Sequence, residues 1–185
     1  MTNELKPDFH APAEVIRLAK NIRLVLFDVD GVLTDGRLYF SDSGDEIKSF
    51  HSRDGLGIYL LQNTGVEVGI ITARESNLVA HRAGDLKIKH LYQGNKEKFP
   101  AYVELCKKLK LDSEQVAFVG DDVVDLPIML DVGLSVTVHQ GHHIVKQHSH
   151  WTTPNEGGAG AARDVCELIM HAQGTYRQAM DEFFA

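Results

Sequence analysis

Short runs of apolar residues alternate along the chain with segments of helical periodicity, and this alternation restricts the fold more than any other feature. Each run is almost uninterrupted, as in strands that are covered on both faces of a sheet. The predicted strands are 22–27, 66–71, 89–91, 116–119 and 134–138. The predicted helices are 56–61, 77–83, 99–109, 124–130 and 161–172. Such alternation predicts an α/β fold, in which helices cover both faces of a doubly wound parallel sheet.

One segment, residues 37–50, interrupts the alternation just after the first strand. Its β-prone residues lie on either side of a Ser/Asp/Gly turn, which predicts a β-hairpin. The length of 185 residues corresponds to about one domain. We therefore expect a single domain over 1–185, a three-layer Rossmann-like fold with the hairpin as an insertion and no cap domain. A last helix is followed by a predicted polar tail at 173–185.

Charge and cysteine content argue against several classes of protein. Acidic residues number 26 against 19 basic ones, a net charge of −7, and no Lys/Arg-rich run offers the basic patch that a nucleic-acid binder needs. Cys106 and Cys166 stand far apart, which argues against a disulfide scaffold or a zinc site. No run approaches the ~18 apolar residues of a membrane span, and charges interrupt the N-terminal segment where a signal peptide would be apolar. We expect a cytoplasmic protein that binds neither nucleic acid nor membrane.

The strongest chemical signal is an Asp-x-Asp-Gly sequence at the end of the first predicted strand. Asp28 and Asp30 lean toward the same side of an extended chain, and Gly31 lets the backbone turn directly after them. Taken alone, the pair also fits an ordinary acidic turn. The ends of the other strands therefore decide how it is interpreted.

Polar side chains follow three further predicted strands. Because the carboxyl ends of parallel strands share one edge of the sheet, we expect these side chains to lie together near Asp28 and Asp30. Three of these side chains are aspartates, which with Asp28 and Asp30 make five clustered carboxylates. Their mutual repulsion favours a hard divalent cation, Mg²⁺, as the neutralising partner. The additional residues are Thr72, Arg74, Lys98, Asp121, Asp122 and Asp125.

This set of residues suits phosphoryl transfer through a covalent carboxylate. Asp28 as nucleophile would form an acyl phosphate that water then cleaves. Asp30 would protonate the leaving alkoxide and later take a proton from the incoming water. Thr72 would donate a hydrogen bond to a phosphoryl oxygen, while Lys98 and the cation offset its charge.

Four motifs, in this order, resemble those of the haloacid dehalogenase superfamily. Within it, the chain is similar to the cap-less phosphatases that act on 3-deoxy-D-manno-octulosonate 8-phosphate, a sugar acid phosphate used to build lipopolysaccharide. The resemblance extends over nearly the whole length, including 50–57, 91–94 and 157–163. The motifs are Asp28-x-Asp30-Gly, Thr72, Lys98 and Gly120-Asp121-Asp122-x-x-Asp125.

The resemblance implies a role for each matching residue. Asp28 would be nucleophile and metal ligand, Asp30 the acid/base and a ligand through its backbone carbonyl, and Asp121 a further ligand. Lys98 would contact the phosphoryl group. Asp122 and Asp125 would support the ligands, with Asp125 orienting Lys98. Substrate contacts are implied at Asp30, His51, Ser52, Arg53, Asp54, Gly55, Arg74, Arg82 and Lys98.

The resemblance also implies a homo-oligomer, most simply a tetramer. Cap-less relatives form tetramers in which such hairpins meet and a neighbour's chain borders each site. Arg82, two helical turns beyond Arg74, is a candidate for a neighbour's site. The Phe183-Phe184 tail is a candidate lid.

Other functions stay open at the level of the sequence. A phosphatase of nine-carbon, acylneuraminate-type sugar acid 9-phosphates would need the same chemistry residues. A phospho-receiver domain also has an acidic Mg²⁺ pocket, but its phospho-acceptor follows the third strand and it has no Asp two residues further on. A non-catalytic scaffold on the phosphatase fold would have lost catalytic residues, and every required residue type is present here.

Overall fold

A six-stranded parallel sheet forms the centre of the protein in the computed structural model, which describes residues 5–184. The strands are β1 (Leu24–Phe27), β2 (Tyr39–Phe40), β3 (Glu46–Ile47), β4 (Glu67–Ile71), β5 (His90–Tyr92), β6 (Val116–Gly120), β7 (Leu134–Thr137) and β8 (Trp151–Thr152). The sheet order is β5–β4–β1–β6–β7–β8, and every neighbouring pair is parallel. Strands β2 and β3 pair antiparallel as a separate hairpin. Residues 1–4 and 185, which belong to the predicted domain and its tail, lie outside the described residues.

Helices cover both faces of this sheet. They are α1 (Ala13–Ala19), α2 (Ser52–Asn63), α3 (Asn77–Asp85), α4 (Lys98–Leu109), α5 (Leu126–Met129), α6 (His143–Gln147), α7 (Ala161–Ala172) and α8 (Tyr176–Asp181). Because side chains alternate along a strand, Val25 and Phe27 pack with buried residues of α1, α2, α3 and α7. Leu24 and Leu26 face the opposite layer, which contains α4, α5 and α6. The predicted three-layer, doubly wound fold with a hairpin after the first strand is confirmed.

Several short elements were not expected from the sequence. These are helices α1 and α6, strand β8 and the tail helix α8. Each is too short for its hydrophobic periodicity to be recognised in the sequence, and each is stabilised by contacts with distant parts of the chain. Within the predicted tail at 173–185, residues 176–181 form a helix, and its Tyr176, Ala179 and Met180 pack against the main core. The helix predicted at 124–130 is instead a 3₁₀ turn, Val123–Asp125, followed by the four residues of α5.

The strand order determines where a site can form. Strand β1 lies between β4 and β6, with Phe27 beside both Ile70 and Val119. The chain winds outward from β1 to β4 and β5, and then returns to β6 and winds the other way. The chain therefore reverses its direction of winding between β1 and β6, and sheets of this kind bind ligands beyond the carboxyl ends of the strands at such a point. Among residues 5–184, none of the helices has the length and apolar character needed to cross a membrane.

Candidate active site

Three carboxylates and one lysine meet at the carboxyl edge of the sheet. Asp28 directly follows β1, while Asp121 and Asp125 follow β6, and their ligand atoms all lie within 4.8 Å of one another. Lys98, the first residue of α4, places Nζ 2.9 Å from Asp28 Oδ1 and 2.7 Å from Asp125 Oδ1. Its side chain is only 2% exposed. The structure thus brings together four residues that were predicted to share this edge.

Both carboxylate oxygens of Asp125 accept hydrogen bonds from within the protein. Its Oδ1 accepts a hydrogen bond from Lys98, and its Oδ2 accepts one from the backbone N–H of Asp121 at 3.0 Å. Asp122 plays a different part from Asp125. Its exposed carboxylate caps the 3₁₀ turn by accepting the Val123 N–H at 2.7 Å. This use of both Asp125 oxygens favours Asp28 and Asp121 as metal ligands and Asp125 as the residue that positions Lys98.

The turn after Asp28 requires a glycine at position 31. Gly31 has a φ of +94°, and a Cβ atom there would lie 2.1 Å from Asp121 Oδ2. Any side chain would therefore both strain the backbone and displace a candidate ligand. The close approach of the two loops explains why the sequence places glycine directly after the second aspartate.

A glycine-rich loop braces this turn from the other side. The N–H of Gly158 donates to the Val32 carbonyl at 2.9 Å. Gln140 donates from Nε2 to the Gly31 carbonyl at 3.2 Å and accepts from the Gly157 N–H at 2.9 Å. The loops that follow β7 and β8 therefore hold the turn after Asp28 in place.

The cluster carries more negative charge than its lysine can neutralise. Burial, followed by repulsion from Asp125, raises the pKa of Asp28 to about 6 even though Lys98 lowers it. Burial and the neighbouring carboxylates raise the pKa of Asp121 to about 7. Burial alone would lower the pKa of Lys98, but contact with Asp28 and Asp125 raises it overall. Clustered hard oxygen ligands with an excess of negative charge fit a Mg²⁺ ion.

This imbalance predicts how pH affects the stability of the metal-free protein. The folded-state pKa values of about 6 and about 7 exceed the ordinary value of 3.8, so the folded protein binds more protons than the unfolded chain between about pH 4 and pH 7. The free energy of unfolding should therefore fall as pH rises through this window. Mg²⁺ relieves the repulsion, so it should raise the melting temperature more at pH 8 than at pH 5. Calorimetry with and without Mg²⁺ measures both, and equal shifts at the two pH values would contradict the charge imbalance.

Asp30 has a different set of partners from Asp28. Lys48, which follows β3 of the hairpin, places Nζ 2.5 Å from Asp30 Oδ1. Arg74, after β4, places Nε 3.5 Å from Asp30 Oδ2. Glu46 links the two cations, lying 2.5 Å from Arg74 Nη2 and 3.3 Å from Lys48 Nζ. Neither Glu46 nor Lys48 was predicted as a site residue, because charged residues of a hairpin usually face solvent and no motif distinguishes these two.

Thr72 is fixed at the end of β4. Its N–H donates to the Tyr92 carbonyl at 2.9 Å, and its own carbonyl accepts from the Asn95 N–H at 3.1 Å. The side chain is buried. Thr72 thus occupies the expected strand end, and the phosphoryl contact of its hydroxyl stays a prediction.

The predicted substrate contacts at 51–55 form the start of α2. The ring of His51 caps this helix by accepting the Arg53 N–H at 3.3 Å, and Ser52 and Arg53 are exposed. Arg82 reaches over from α3 and donates to the His51 carbonyl at 3.3 Å. A Cβ on Gly55 would lie 2.4 Å from Arg82 Nη2. Arg82 therefore contacts the start of α2 in the same chain, whereas Arg74 contacts Asp30.

Asp54 is turned into the protein rather than outward. Its side chain is buried, and Oδ1 accepts the backbone N–H of Arg163 at 2.9 Å in the first turn of α7. Oδ2 has no hydrogen-bond partner among the described residues. Burial raises the pKa of this carboxyl. In this conformation Asp54 caps a helix, and its contact with substrate stays a prediction.

Comparison with known proteins identifies the family. The chain is 48% identical over 160 residues to the 3-deoxy-D-manno-octulosonate 8-phosphate phosphatase KdsC of Yersinia pestis, and the match covers 86% of each chain. It is 46% identical over 167 residues to KdsC of Escherichia coli K12, with 90% of this chain and 89% of that one covered. The chain belongs to the KdsC family. A family model of haloacid dehalogenase-like hydrolases matches residues 87–163, so the resemblance to that superfamily is confirmed.

Solved structures of KdsC proteins share this fold. The crystal structure of the Yersinia pestis phosphatase matches with a TM-score of 0.88 and 46% identity, covering 89% of both chains. The phosphatase of Moraxella catarrhalis, solved with a magnesium ion, a phosphate ion and a KDO molecule, matches with a TM-score of 0.90 and 39% identity. That match covers 92% of this chain and 98% of the other.

Proposed function

We propose that this member of the KdsC family is a Mg²⁺-dependent phosphatase that releases phosphate from 3-deoxy-D-manno-octulosonate 8-phosphate during lipopolysaccharide biosynthesis. The observation that carries the proposal is the cluster of Asp28, Asp121 and Asp125 around buried Lys98 at the carboxyl edge of the sheet. A related phosphatase binds magnesium, phosphate and KDO together. Asp28, Asp121 and the Asp30 carbonyl would hold the ion, which when bound neutralises charge on the phosphoryl group.

The proposed reaction proceeds in two steps, which form and then hydrolyse an acyl phosphate on Asp28. In the first, an Asp28 oxygen attacks phosphorus, the bond to the sugar oxygen breaks, and Asp30 gives that oxygen a proton. In the second, Asp30 takes a proton from water, the water oxygen attacks phosphorus, and phosphate leaves as the Asp28 carboxylate is restored. Lys98, whose Nζ lies 2.9 Å from Asp28 Oδ1, would offset charge on the transferred group.

A comparison of substrates tests this function directly. Phosphate release would be measured with Mg²⁺ on a panel of phosphomonoesters that includes the eight-carbon and the nine-carbon sugar acid phosphates. We expect kcat/KM to be highest for the eight-carbon substrate. A higher value for the nine-carbon substrate would reassign the substrate, and the absence of hydrolysis across the whole panel would favour a non-catalytic role.

Replacing Asp30 with asparagine should slow turnover severely while leaving the metal site nearly intact. Loss of a group that transfers protons costs about 10²–10⁴-fold in rate, and the Asp30 side chain lies among Lys48, Arg74 and Glu46 rather than in the carboxylate cluster. Steady-state kinetics would measure the loss, and titration with Mg²⁺ would serve as the control. A variant with normal turnover would rule out Asp30 as the acid/base.

We also propose a homotetramer, with the hairpin at 37–50 as an interface between subunits. Leu38, Phe40 and Ile47 are 46%, 60% and 58% exposed in the single chain, which is more apolar surface than a free projection normally presents. Light scattering of the active protein should give the mass of a tetramer. A fully active monomer would contradict the interface.

The tail is tested separately from the assembly. Phe183 and Phe184 are exposed and are candidates to cover a neighbouring site. Removal of 174–185 would also remove α8, which packs against the core, so the informative truncation deletes 183–185 only. We expect a higher KM with an unchanged melting temperature, and unchanged kinetics would show that the tail plays no part in the reaction.

We further propose one hydrolase domain and a cytoplasmic location. Both helical layers pack on one continuous sheet, which supports a single folding unit. Cys106 and Cys166 are free thiols, which supports a reducing compartment.

A further inference from the structure

A hairpin lysine holds the side chain of Asp30. Lys48 is joined to Asp30 Oδ1 at 2.5 Å and to Glu46 Oε1 at 3.3 Å, and its side chain is only 2% exposed. Arg74 bridges the same two carboxylates from the end of β4. The hairpin is thereby tied to the catalytic turn through Lys48 and to the sheet through Glu46 and Arg74.

Two properties distinguish Lys48 from Arg74 in this network. The Arg74 side chain is 43% exposed and lies 3.5 Å from Asp30, so solvent screens this contact and many conformations compete with it. The Lys48 side chain is enclosed and closer, so losing its ammonium group would leave Asp30 without its nearest cation. Lys48 therefore determines the Asp30 rotamer more strongly than Arg74 does.

We propose that Lys48 is a positioning residue that holds the Asp30 carboxyl group in the orientation needed to protonate the leaving oxygen. This inference rests on the proposed function, since it presupposes that Asp30 is the acid/base. A displacement of about 1 Å of a catalytic group can cost on the order of 10²-fold in rate. The hairpin, besides being the proposed subunit interface, then helps to position the acid/base Asp30.

The dependence of the rate on the leaving group provides a test that a general loss of structure would not mimic. A sugar alkoxide is a poor leaving group and requires a proton in the transition state, whereas nitrophenolate leaves readily without one. The rate compared is that of the first step, measured as release of the sugar or of nitrophenolate in a single turnover, because the second step uses Asp30 with both substrates. We expect Lys48→Met to reduce this rate for 3-deoxy-D-manno-octulosonate 8-phosphate by about 10–10²-fold. The reduction for p-nitrophenyl phosphate should be much smaller. KM should change little for either substrate.

Three further variants serve as comparisons in the Mg²⁺-loaded protein. Lys48→Arg keeps the positive charge and should restore part of the lost first-step rate. Lys107→Met, an exposed lysine near the far end of α4, should behave as wild type. In an Asp30→Asn background, Lys48→Met should cause little additional loss, because the group that it positions is already absent. Melting temperatures with and without Mg²⁺ check that each variant is folded and binds metal.

The outcomes separate this inference from the proposed function. A wild-type protein that hydrolyses neither substrate would refute the function itself. If wild type and Asp30→Asn behave as expected but Lys48→Met loses first-step rate by the same factor on both substrates, Lys48 does not act through Asp30 in protonating the leaving oxygen. An increase in KM with unchanged kcat would likewise overturn the proposal and make Lys48 a substrate-binding residue. If Lys48→Met fails to fold, the same comparison is made with Lys48→Gln and Lys48→Arg.

Discussion

Replacing Asp28 with asparagine should abolish turnover, with a loss of roughly 10⁴-fold or more, as expected for removal of a nucleophile. Asparagine has nearly the same shape, so Lys98 and the turn at Gly31 keep their neighbours. The amide nevertheless cannot form the acyl phosphate. Phosphate release measured at saturating Mg²⁺ would determine the loss, and near-normal activity would exclude the covalent mechanism.

Two controls separate loss of the nucleophile from loss of the metal. Asp85→Asn changes an exposed aspartate at the end of α3 and should leave the rate unchanged. Raising the Mg²⁺ concentration should not rescue Asp28→Asn, because the missing group is the attacking one. Beryllium fluoride, which imitates the phosphoryl group on a carboxylate, should bind the wild type and not the variant.

Removing Mg²⁺ should silence the enzyme completely and reversibly. Without the ion, Asp28, Asp121 and Asp125 repel one another, and a phosphoryl dianion would add to that charge. Protein stripped of metal and assayed in excess EDTA should show no turnover, and addition of Mg²⁺ should restore it. Full activity in EDTA would contradict the assignment of the cluster as a metal site.

Asp121→Ala should raise the Mg²⁺ requirement without eliminating the chemistry. Loss of an outer partner of a metal site costs ~10–100-fold in affinity, and loss of a direct ligand should cost at least as much. Activity would be titrated against Mg²⁺ in the variant and in Asp122→Asn, whose carboxylate caps the 3₁₀ turn instead. We expect recovery at high Mg²⁺ for Asp121→Ala, in contrast to Asp28→Asn. An unchanged Mg²⁺ requirement would remove Asp121 from the ligand set.

The sequence alone determined the parallel sheet and the edge at which the candidate site lies. A run such as 22–27 must be buried on both faces, and the alternation of runs with helical segments permits few arrangements other than a doubly wound sheet. Polar residues directly after those runs then have to share one edge. Asp28, Thr72, Lys98, Asp121 and their neighbours could be placed there because strand ends are local features of the chain.

Only the tertiary structure decided which side chains pair across that edge. Lys98 lies between Asp28 and Asp125, whereas Asp30, only two residues from Asp28, pairs with Lys48. Asp54 lies within the segment 51–55 that was predicted to contact substrate, yet its carboxylate caps α7. The physical reason is that periodicity reports the direction in which a residue faces within its own element, while ion pairs and caps depend on how distant elements dock. Lys48 and Glu46 had no local signal because a charged residue of the hairpin becomes buried only when the hairpin folds over the turn that contains Asp30.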